Sequence, residues 1–549
     1  MLRRLRISVG KIRALSWEEW FLVAFGASFL LGVGYALPMV NTVTDVWAFG
    51  GGVLRSMEAH TLLPLGDVAY GTVSFYQNYL AMAIVLGVSY LSNGFDIEVV
   101  KTAFVLNPHY SILVPRIVSA LTAMVLLFVT FRFLKVQVRD TWWRLALLAL
   151  LFGNIITIFL TRSGKMWMLS MMFVTISFIF LYRSLTEERQ RGVPGRYALY
   201  SIIAAAFATA NFAFAALFLV TVPVLFFVFP KTRAAFTRLS FMTIAGLGVV
   251  AVFLLLNLNN IILQVSGFLP SFLNPSMSNM PMPVEGTLSL LESIRIKGRH
   301  LIDAFPLLLI ALIPAMLAGV RDRTLALLAT LYDVLYLVLL VLVFRTDQGI
   351  ALNVRHVFPL GIFLMFFLAA CYPPRKFISA VLFIVSMCVY VFTVYLMMVP
   401  STYNDAYEFI IDQYGTQDIR IDENIFEFTL PMNQDSYALF ATSSCGSTCQ
   451  HRLAMEEDIP FRPLVVTEES DLVKNGNLPL PDILVRSQML TDERCRLIAS
   501  FRNDVPDDGI FDIDINLGRM LMPSFYTLDR LGKNLYLYDA RDCFTATQP

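Results

Sequence analysis

A carboxylate that follows the first long apolar segment is the first candidate for chemistry. Trp20–Val40 contains no charged residue and is long enough to cross a bilayer as a helix, and Asp45 follows five residues later. A carboxylate at that depth could accept a proton from an acceptor hydroxyl while a phosphate leaves, or it could be an ordinary interfacial or helix-capping residue. His109, in Asn-Pro-His-Tyr before the next apolar segment, is the second candidate base or hydrogen-bond donor, although an interfacial His beside Tyr is also ordinary.

Basic residues recur at the ends of apolar segments that we predict to face away from the cytoplasm. Such positions run against the positive-inside rule, and each side chain alone could extend toward lipid headgroups. Several of them on one face are better explained by a common anionic ligand, because guanidinium groups bind phosphate through paired, charge-assisted hydrogen bonds. The predicted binding residues are Arg116, Arg162, Lys165, Arg295, Lys297, Arg299, Arg345, Arg355 and His356.

The composition indicates that a membrane positions these residues. Of 549 residues, 57% are hydrophobic and 15% are charged, whereas soluble domains carry about 25% charged residues. The chain contains no P-loop, no G-x-G-x-x-G motif and no internal repeat, which argues against a nucleotide-driven pump. The sequence therefore predicts a polytopic α-helical membrane protein with no nucleic-acid partner.

The charges between the apolar segments determine the predicted topology. Residues 1–19 form a basic, cytoplasmic N-terminus, and the basic segment Arg183–Arg196 falls on the same side of the membrane. Tyr79–Leu91 is short for a transmembrane helix, so we place it with surface-lying helices in a first outer loop, 41–110. A second outer loop, 264–300, is rich in Pro and Met and suits a mobile lid. Eleven helices are predicted within residues 20–400, near Trp20–Val40, Ser111–Leu134, Arg144–Leu160, Met166–Tyr182, Tyr197–Thr209, Phe212–Phe229, Leu239–Leu263, Leu301–Val320, Leu325–Phe344, Ala351–Cys371 and Phe377–Val399.

The tail, residues 401–549, differs from the membrane part. It is acidic and mixes short apolar runs such as Tyr437–Thr442 with helical stretches such as Tyr403–Tyr414, which predicts an α/β domain on the outer side. Four cysteines there indicate two disulfides in an oxidising compartment, with zinc as an alternative that the spacing and the lone His451 fit poorly. The simplest of three pairings joins Cys445 to Cys449 and Cys495 to Cys543.

The order of several motifs resembles a known family. A retained first helix, an acid early in a long outer loop, and Pro115–Leu121 (PRIVSAL) at the start of the next span are followed by the paired short helices of Tyr197–Phe229 and by Arg355–Pro359 (RHVFP). This order is similar to that of the GT-C superfamily of membrane glycosyltransferases, whose members include protein O-mannosyltransferases and lipid A aminoarabinose transferases. The resemblance covers about residues 15–400.

The resemblance implies a sugar donor on a polyprenyl phosphate, inverting transfer on the non-cytoplasmic side, and Asp45 as general base. The chain departs from the family pattern in three places. Val46 stands where many relatives have a second acid, Thr161–Trp167 contains no acid, and Asn211 stands where some relatives have a lysine. These departures argue against a divalent metal and leave open an unusual acceptor specificity or a loss of activity.

The sequence thus predicts an integral-membrane glycosyltransferase of a bacterial inner membrane that acts on a glycan, lipid or protein acceptor in the cell envelope. Asp45 would be the base, the outer cations would hold the donor phosphate, and the tail would shape access for the acceptor. Two alternatives remain. A transporter or flippase of a lipid-linked glycan would use polar groups near the midplane, such as Asp333 and the asparagines within Asn257–Asn260, and a non-catalytic scaffold would explain the missing second acid.

Overall fold

The chain is mainly helical in the computed structural model. The structure describes residues 16–37, 46–65, 71–97, 99–100, 104, 109–188, 195–227, 233–262, 289–343, 354–414, 420–423, 464–466, 482–487, 489–490, 495–503 and 528–539. Asp45, Arg345 and most of the predicted lid loop lie outside these residues. The α-helices are α1 (Trp17–Ala27), α2 (Val46–Glu58), α3 (Thr72–Ser92), α4 (Tyr110–Gln137), α5 (Thr141–Phe152), α6 (Ile155–Arg162), α7 (Trp167–Arg183), α8 (Arg196–Asn211), α9 (Ala216–Phe227), α10 (Arg233–Leu256), α11 (Leu290–Ala304), α12 (Pro306–Ala318), α13 (Arg323–Val343), α14 (Phe358–Ala370), α15 (Lys376–Met398) and α16 (Thr402–Tyr414).

Five helices in the described ranges are long and apolar enough to cross a membrane. Two bent pairs, α5 with α6 and α11 with α12, raise this number to seven if each pair forms one span. The prediction of a polytopic helical membrane protein is therefore confirmed, whereas the number of eleven spans stays a prediction. The five helical stretches are Tyr110–Gln137, Trp167–Glu187, Thr237–Leu256, Arg323–Leu342 and Lys376–Tyr414.

Three predicted spans are not the continuous helices that the apolar pattern indicated. The first, Trp20–Val40, is α-helical only to Ala27 and continues as a 3-10 turn, Ser28–Leu30, followed by further turns. The predicted span Arg144–Leu160 bends by 61° between α5 and α6, where Asn154 caps α6 by accepting a hydrogen bond from the Ile156 amide. The predicted span Leu301–Val320 contains a bend of 88° between α11 and α12, where Pro306 provides no amide to continue the preceding helix.

Ion pairs and hydrogen bonds join the helix ends that we predict to be cytoplasmic. Arg144 of α5 and Glu18 of α1 form a buried pair with 2.5 Å between Nη2 and Oε2. Tyr182 at the end of α7 donates its hydroxyl to Asp322, which precedes α13, at 2.5 Å. These contacts show which ends of the bundle lie together, and we call this the inner end. The side of the membrane that it faces stays a prediction.

The opposite helix ends meet at what we call the outer end. The Asn260 amide donates to the carbonyl oxygen of Pro64 at 2.9 Å, which ties the end of α10 to the segment between α2 and α3. The Asn404 amide of α16 donates to the carbonyl oxygen of Leu37 at 2.8 Å. Leu37 is the last described residue before the segment that contains Asp45. The start of the tail is therefore hydrogen-bonded to the chain just before that segment.

The tail contains one mixed five-stranded sheet with the strand order β2-β1-β3-β5-β4. β1 is parallel to β2 and β3, whereas β5 is antiparallel to β3 and β4. Helix α16 packs on β4 and β5. The α/β domain on the outer side stays a prediction, and so do its disulfides, since three of the four tail cysteines lie outside the described residues. The strands are β1 (Arg420–Glu423), β2 (Leu464–Val466), β3 (Ile483–Arg486), β4 (Arg496–Phe501) and β5 (Leu535–Asp539).

Candidate functional site

A cluster of basic side chains surrounds a buried histidine at the outer end. The ring of His356 lies within electrostatic range of Arg355, Lys297, Lys165 and His300. These residues come from three separate parts of the chain: the turn between α6 and α7, helix α11, and the 3-10 helix Val354–Val357. We call Lys165, Lys297, His300, Arg355 and His356 the basic cluster.

Three residues of the basic cluster are enclosed by protein, whereas His300 and Arg355 are half-buried. Lys165 is 5% exposed, Lys297 1% and His356 7%. Burial lowers the pKa of the Lys297 ammonium to about 8, and burial together with the charges of Lys297 and Arg299 lowers the pKa of His300 to about 4. At pH 7, Lys297 is therefore a cation and His300 is a neutral imidazole. Positive charge held away from water favours an anionic ligand.

The amphipathic pattern of α11 turns Lys297 inward. A capping box begins this helix, in which Ser289 and Glu292 each accept a hydrogen bond from the other's backbone amide. Ser293, one turn before Lys297, is also buried and donates its hydroxyl to the carbonyl oxygen of Val341 in α13 at 3.0 Å. Residues four apart share a helix face, so the contact with α13 fixes the direction of Lys297.

The other two basic residues of the R-I-K-G-R motif lie on a different face of α11. Arg295 is exposed, and the side chain of Arg299 is 71% exposed and lies 3.6 Å from the Asp303 carboxylate. Positions two residues apart on a helix point in different directions. The structure therefore brings only Lys297 of the three into the basic cluster.

Arg116 and Arg162 bind the backbone that follows α1. Arg116 Nη1 donates to the carbonyl oxygens of Val33 at 3.1 Å and Tyr35 at 2.7 Å. Arg162 Nε donates to Leu31 at 2.5 Å and its Nη2 donates to Ser28 at 3.2 Å. Both guanidinium groups are fully buried. They hold backbone carbonyl groups of the turns that follow α1, and we therefore do not include them in the proposed phosphate site.

Asn211 joins three helices next to the basic cluster. Its Oδ1 accepts from the Ser74 amide at 2.8 Å, and its Nδ2 donates to the Met166 carbonyl at 3.1 Å and to Ser170 Oγ at 2.8 Å. Its own carbonyl oxygen accepts from the amide of Gly71 at 2.9 Å. The position at which some relatives have a lysine is thus a structural joint between α3, α7 and α8.

The two remaining candidates lie elsewhere in the described structure. His109 precedes α4, half-buried, with its ring centroid 4.5 Å from that of Tyr110. Asp333 lies near the middle of α13, and its Oδ1 is buried without a hydrogen-bond partner among the described residues. The described part of the chain contains no group of three His, Cys, Asp or Glu side chains arranged to hold a metal ion.

Sequence reasoning missed one residue of the basic cluster and one residue beside it. His300 follows Lys297 by three positions, so the helical period of α11 could have identified it. Trp167 packs edge-on against His356, with ring centroids 5.4 Å apart, and no sequence signal separates this tryptophan from an ordinary core residue.

Comparisons with known proteins give one structural likeness. No protein-family model and no curated protein matches this chain. A similar solved structure is ArnT from Cupriavidus metallidurans bound to undecaprenyl phosphate, with a TM-score of 0.44 and 12% sequence identity, over 86% of this chain and 93% of that chain. A TM-score and an identity this low carry no argument about fold or function.

Proposed function

We propose that this protein is a membrane glycosyltransferase that takes its sugar from a polyprenyl-phosphate carrier. The observation that supports this proposal is the convergence of Lys165, Lys297 and Arg355 around buried His356 at one end of a bundle of apolar helices. A ligand for this site must carry negative charge and must reach the end of the membrane-spanning helices. A phosphate on a long lipid meets both requirements.

The burial of the cluster favours tight phosphate binding. The cost of removing Lys165 and Lys297 from water is already met when the protein folds, so the ligand gains charge-assisted hydrogen bonds without that cost. The same cations would stabilise the phosphate that leaves during transfer, because negative charge develops on it as the sugar departs.

In the proposed reaction an acceptor hydroxyl attacks the anomeric carbon of the donor sugar. The new carbon–oxygen bond forms on the face opposite the phosphate, the bond from the sugar to the phosphate oxygen breaks, and the polyprenyl phosphate leaves with the electron pair. Asp45 takes the proton of the hydroxyl, and His109 is the second candidate for that role. The outer end would face the extracytoplasmic side, where the tail, with its predicted disulfides, would shape access for the acceptor.

A binding and turnover experiment in nanodiscs tests the proposal. The protein should bind undecaprenyl phosphate more tightly than undecaprenol, which lacks the phosphate, and should release undecaprenyl phosphate from at least one sugar-linked donor when acceptors are supplied. Asp45→Asn should lower transfer by about 10²–10⁴-fold while donor binding is retained, whereas Asp96→Asn, an exposed acid in the same outer loop, should have little effect.

Each failure of this experiment points to a different conclusion. Transfer that is unaltered by Asp45→Asn moves the base to another residue, with His109 next to test. Undecaprenyl phosphate binding without consumption of any donor favours the flippase or scaffold alternatives. Equal affinity for undecaprenyl phosphate and undecaprenol would refute a phosphate site.

A further inference from the structure

The indole N–H of Trp167 is a polar group next to the basic cluster. Trp167 is 1% exposed, and its Nε1 has no hydrogen-bond partner among the described residues. Its ring packs against His356 and against Phe212, with centroids 5.4 and 4.9 Å apart. A buried tryptophan N–H normally finds an acceptor, and one that is left without an acceptor calls for an explanation.

A second polar atom without a partner lies across Asn211 from Trp167. Ser74 of α3 is 2% exposed, and its Oγ also has no hydrogen-bond partner in the described ranges. Asn211 bonds to the Ser74 amide on one side, and to the Met166 carbonyl and Ser170 Oγ at the start of α7 on the other. Asn211 thus uses both polar atoms of its side-chain amide to join Ser74 to the residue before Trp167, and neither of these bonds involves the Ser74 hydroxyl or the indole N–H.

We propose that Trp167 Nε1 donates a hydrogen bond to an oxygen of the donor sugar, with Ser74 Oγ as a second contact. This inference rests on the proposed function. The cations of the basic cluster suit the charged phosphate, whereas a neutral N–H and a hydroxyl suit the neutral oxygens of a sugar. The position of Trp167 beside His356 corresponds to a sugar joined directly to the bound phosphate.

Such a contact would make Trp167 a residue that selects the sugar-bearing lipid over the bare lipid phosphate. A site with a buried hydrogen-bond donor discriminates strongly against a ligand that offers no acceptor for it. The bare carrier, which is the product of the proposed reaction, would leave the indole N–H without an acceptor, and this difference would help the product to leave.

The chain provides a matched control for this contact. Trp143 in α5 is also fully buried, and its Nε1 likewise has no hydrogen-bond partner within the described residues, but it lies at the inner end beside Arg144. Replacing either tryptophan by Phe keeps an aromatic ring and removes the N–H. Only Trp167→Phe should change ligand affinity.

The test measures dissociation constants in nanodiscs for undecaprenyl phosphate and for its glucose-, mannose- and 4-amino-4-deoxyarabinose-linked forms. Wild-type protein should bind at least one sugar-linked form more tightly than the bare phosphate. Trp167→Phe should weaken binding of that form roughly tenfold and leave the affinity for bare undecaprenyl phosphate unchanged, while Trp143→Phe changes neither. Ser74→Ala should reduce the same preference, and it tests the site even if Trp167→Phe does not fold.

Two results would overturn the inference. One is an unchanged preference in both Trp167→Phe and Ser74→Ala, and the other is an equal loss for the sugar-linked and bare lipids. If wild-type protein does not bind undecaprenyl phosphate at all, the proposed function fails together with this inference. If it binds the bare lipid but no variant alters a preference for sugar, only the inference fails.

Discussion

Replacing Lys297 by Met should stabilise the protein and weaken its binding of undecaprenyl phosphate. Met preserves an unbranched side chain of similar length and removes the charge. Burial lowers the pKa of Lys297 to about 8, and at about 1.4 kcal/mol per pKa unit the buried charge costs a few kcal/mol at most. Water and neighbouring dipoles reduce this upper value, so we expect a gain of about 1–3 kcal/mol in the free energy of unfolding.

The pH dependence of this gain follows from the direction of the pKa shift. At pH 7 both the folded and the unfolded protein carry the Lys297 charge, and burial makes that charge less favourable in the folded state. Between about pH 8 and 10.5 the folded protein binds fewer protons than the unfolded protein, so the stability of the wild type rises with pH through this window. Thermal unfolding of the wild type should show this rise in stability with pH. Lys297→Met should lack the part of the rise that Lys297 contributes.

The affinity for undecaprenyl phosphate should change in the opposite direction. Loss of a charge-assisted hydrogen bond costs about 1.5–3 kcal/mol, or roughly 10- to 150-fold in affinity. In wild-type protein the affinity should fall as the pH rises above about 8, because Lys297 must then gain a proton to bind the phosphate.

Arg299→Gln is the matched control for Lys297→Met. It removes a cation two positions further along the same helix. Because the Arg299 side chain is 71% exposed, the affinity for undecaprenyl phosphate should change by less than about twofold. A Lys297→Met variant that is less stable than wild type and binds with unchanged affinity would refute the assignment of Lys297 to an anion site.

Three further predictions concern the packing around the site. Arg162→Met should lower the free energy of unfolding by more than about 3 kcal/mol in thermal unfolding, and recovery by Arg162→Lys would contradict the need for a planar fork of donors. Glu18→Gln should cost about 3–5 kcal/mol, most of which should return when Arg144→Met is added; additive losses in the double variant would argue against the buried pair. Asn404→Ala should cost about 1 kcal/mol and speed amide hydrogen exchange in residues 31–37, so unchanged exchange there would mean that the tail does not hold this segment.

The sequence predicted the long helices because an uninterrupted apolar run has only one stable form in a membrane. It did not predict the break after Ala27, because that break depends on Arg162, which donates to the carbonyls of Ser28 and Leu31 from more than 130 positions away. The apolar pattern of Trp20–Val40 contains no sign of a distant guanidinium group. For the same reason, the charge and position of Arg116 and Arg162 in the sequence do not show that they donate to backbone carbonyls.

The basic cluster could be predicted in part. Its Lys165, Lys297, Arg355 and His356 were all among the predicted binding residues, because cations at the ends of apolar segments stand out in the sequence. The separation of Lys297 from Arg295 and Arg299 could have followed from the helical period, had α11 been recognised as a helix that begins at the Ser289 capping box. Asp45 and Arg345 lie outside the described residues, so their roles stay predictions.

A hydrogen bond between α1 and α15, which lie far apart in the sequence, has a consequence for biosynthesis. α1 is the first of the described helices to be made, but Ser28 at its end shares a 2.5 Å hydrogen bond with Tyr390 of α15, a residue 362 positions later. At about 5–20 residues per second, the ribosome needs roughly 20–70 seconds to supply this partner. Throughout that interval the end of α1 lacks its partner in α15, so a nascent chain that stops before Tyr390 should be a substrate for membrane quality-control proteases.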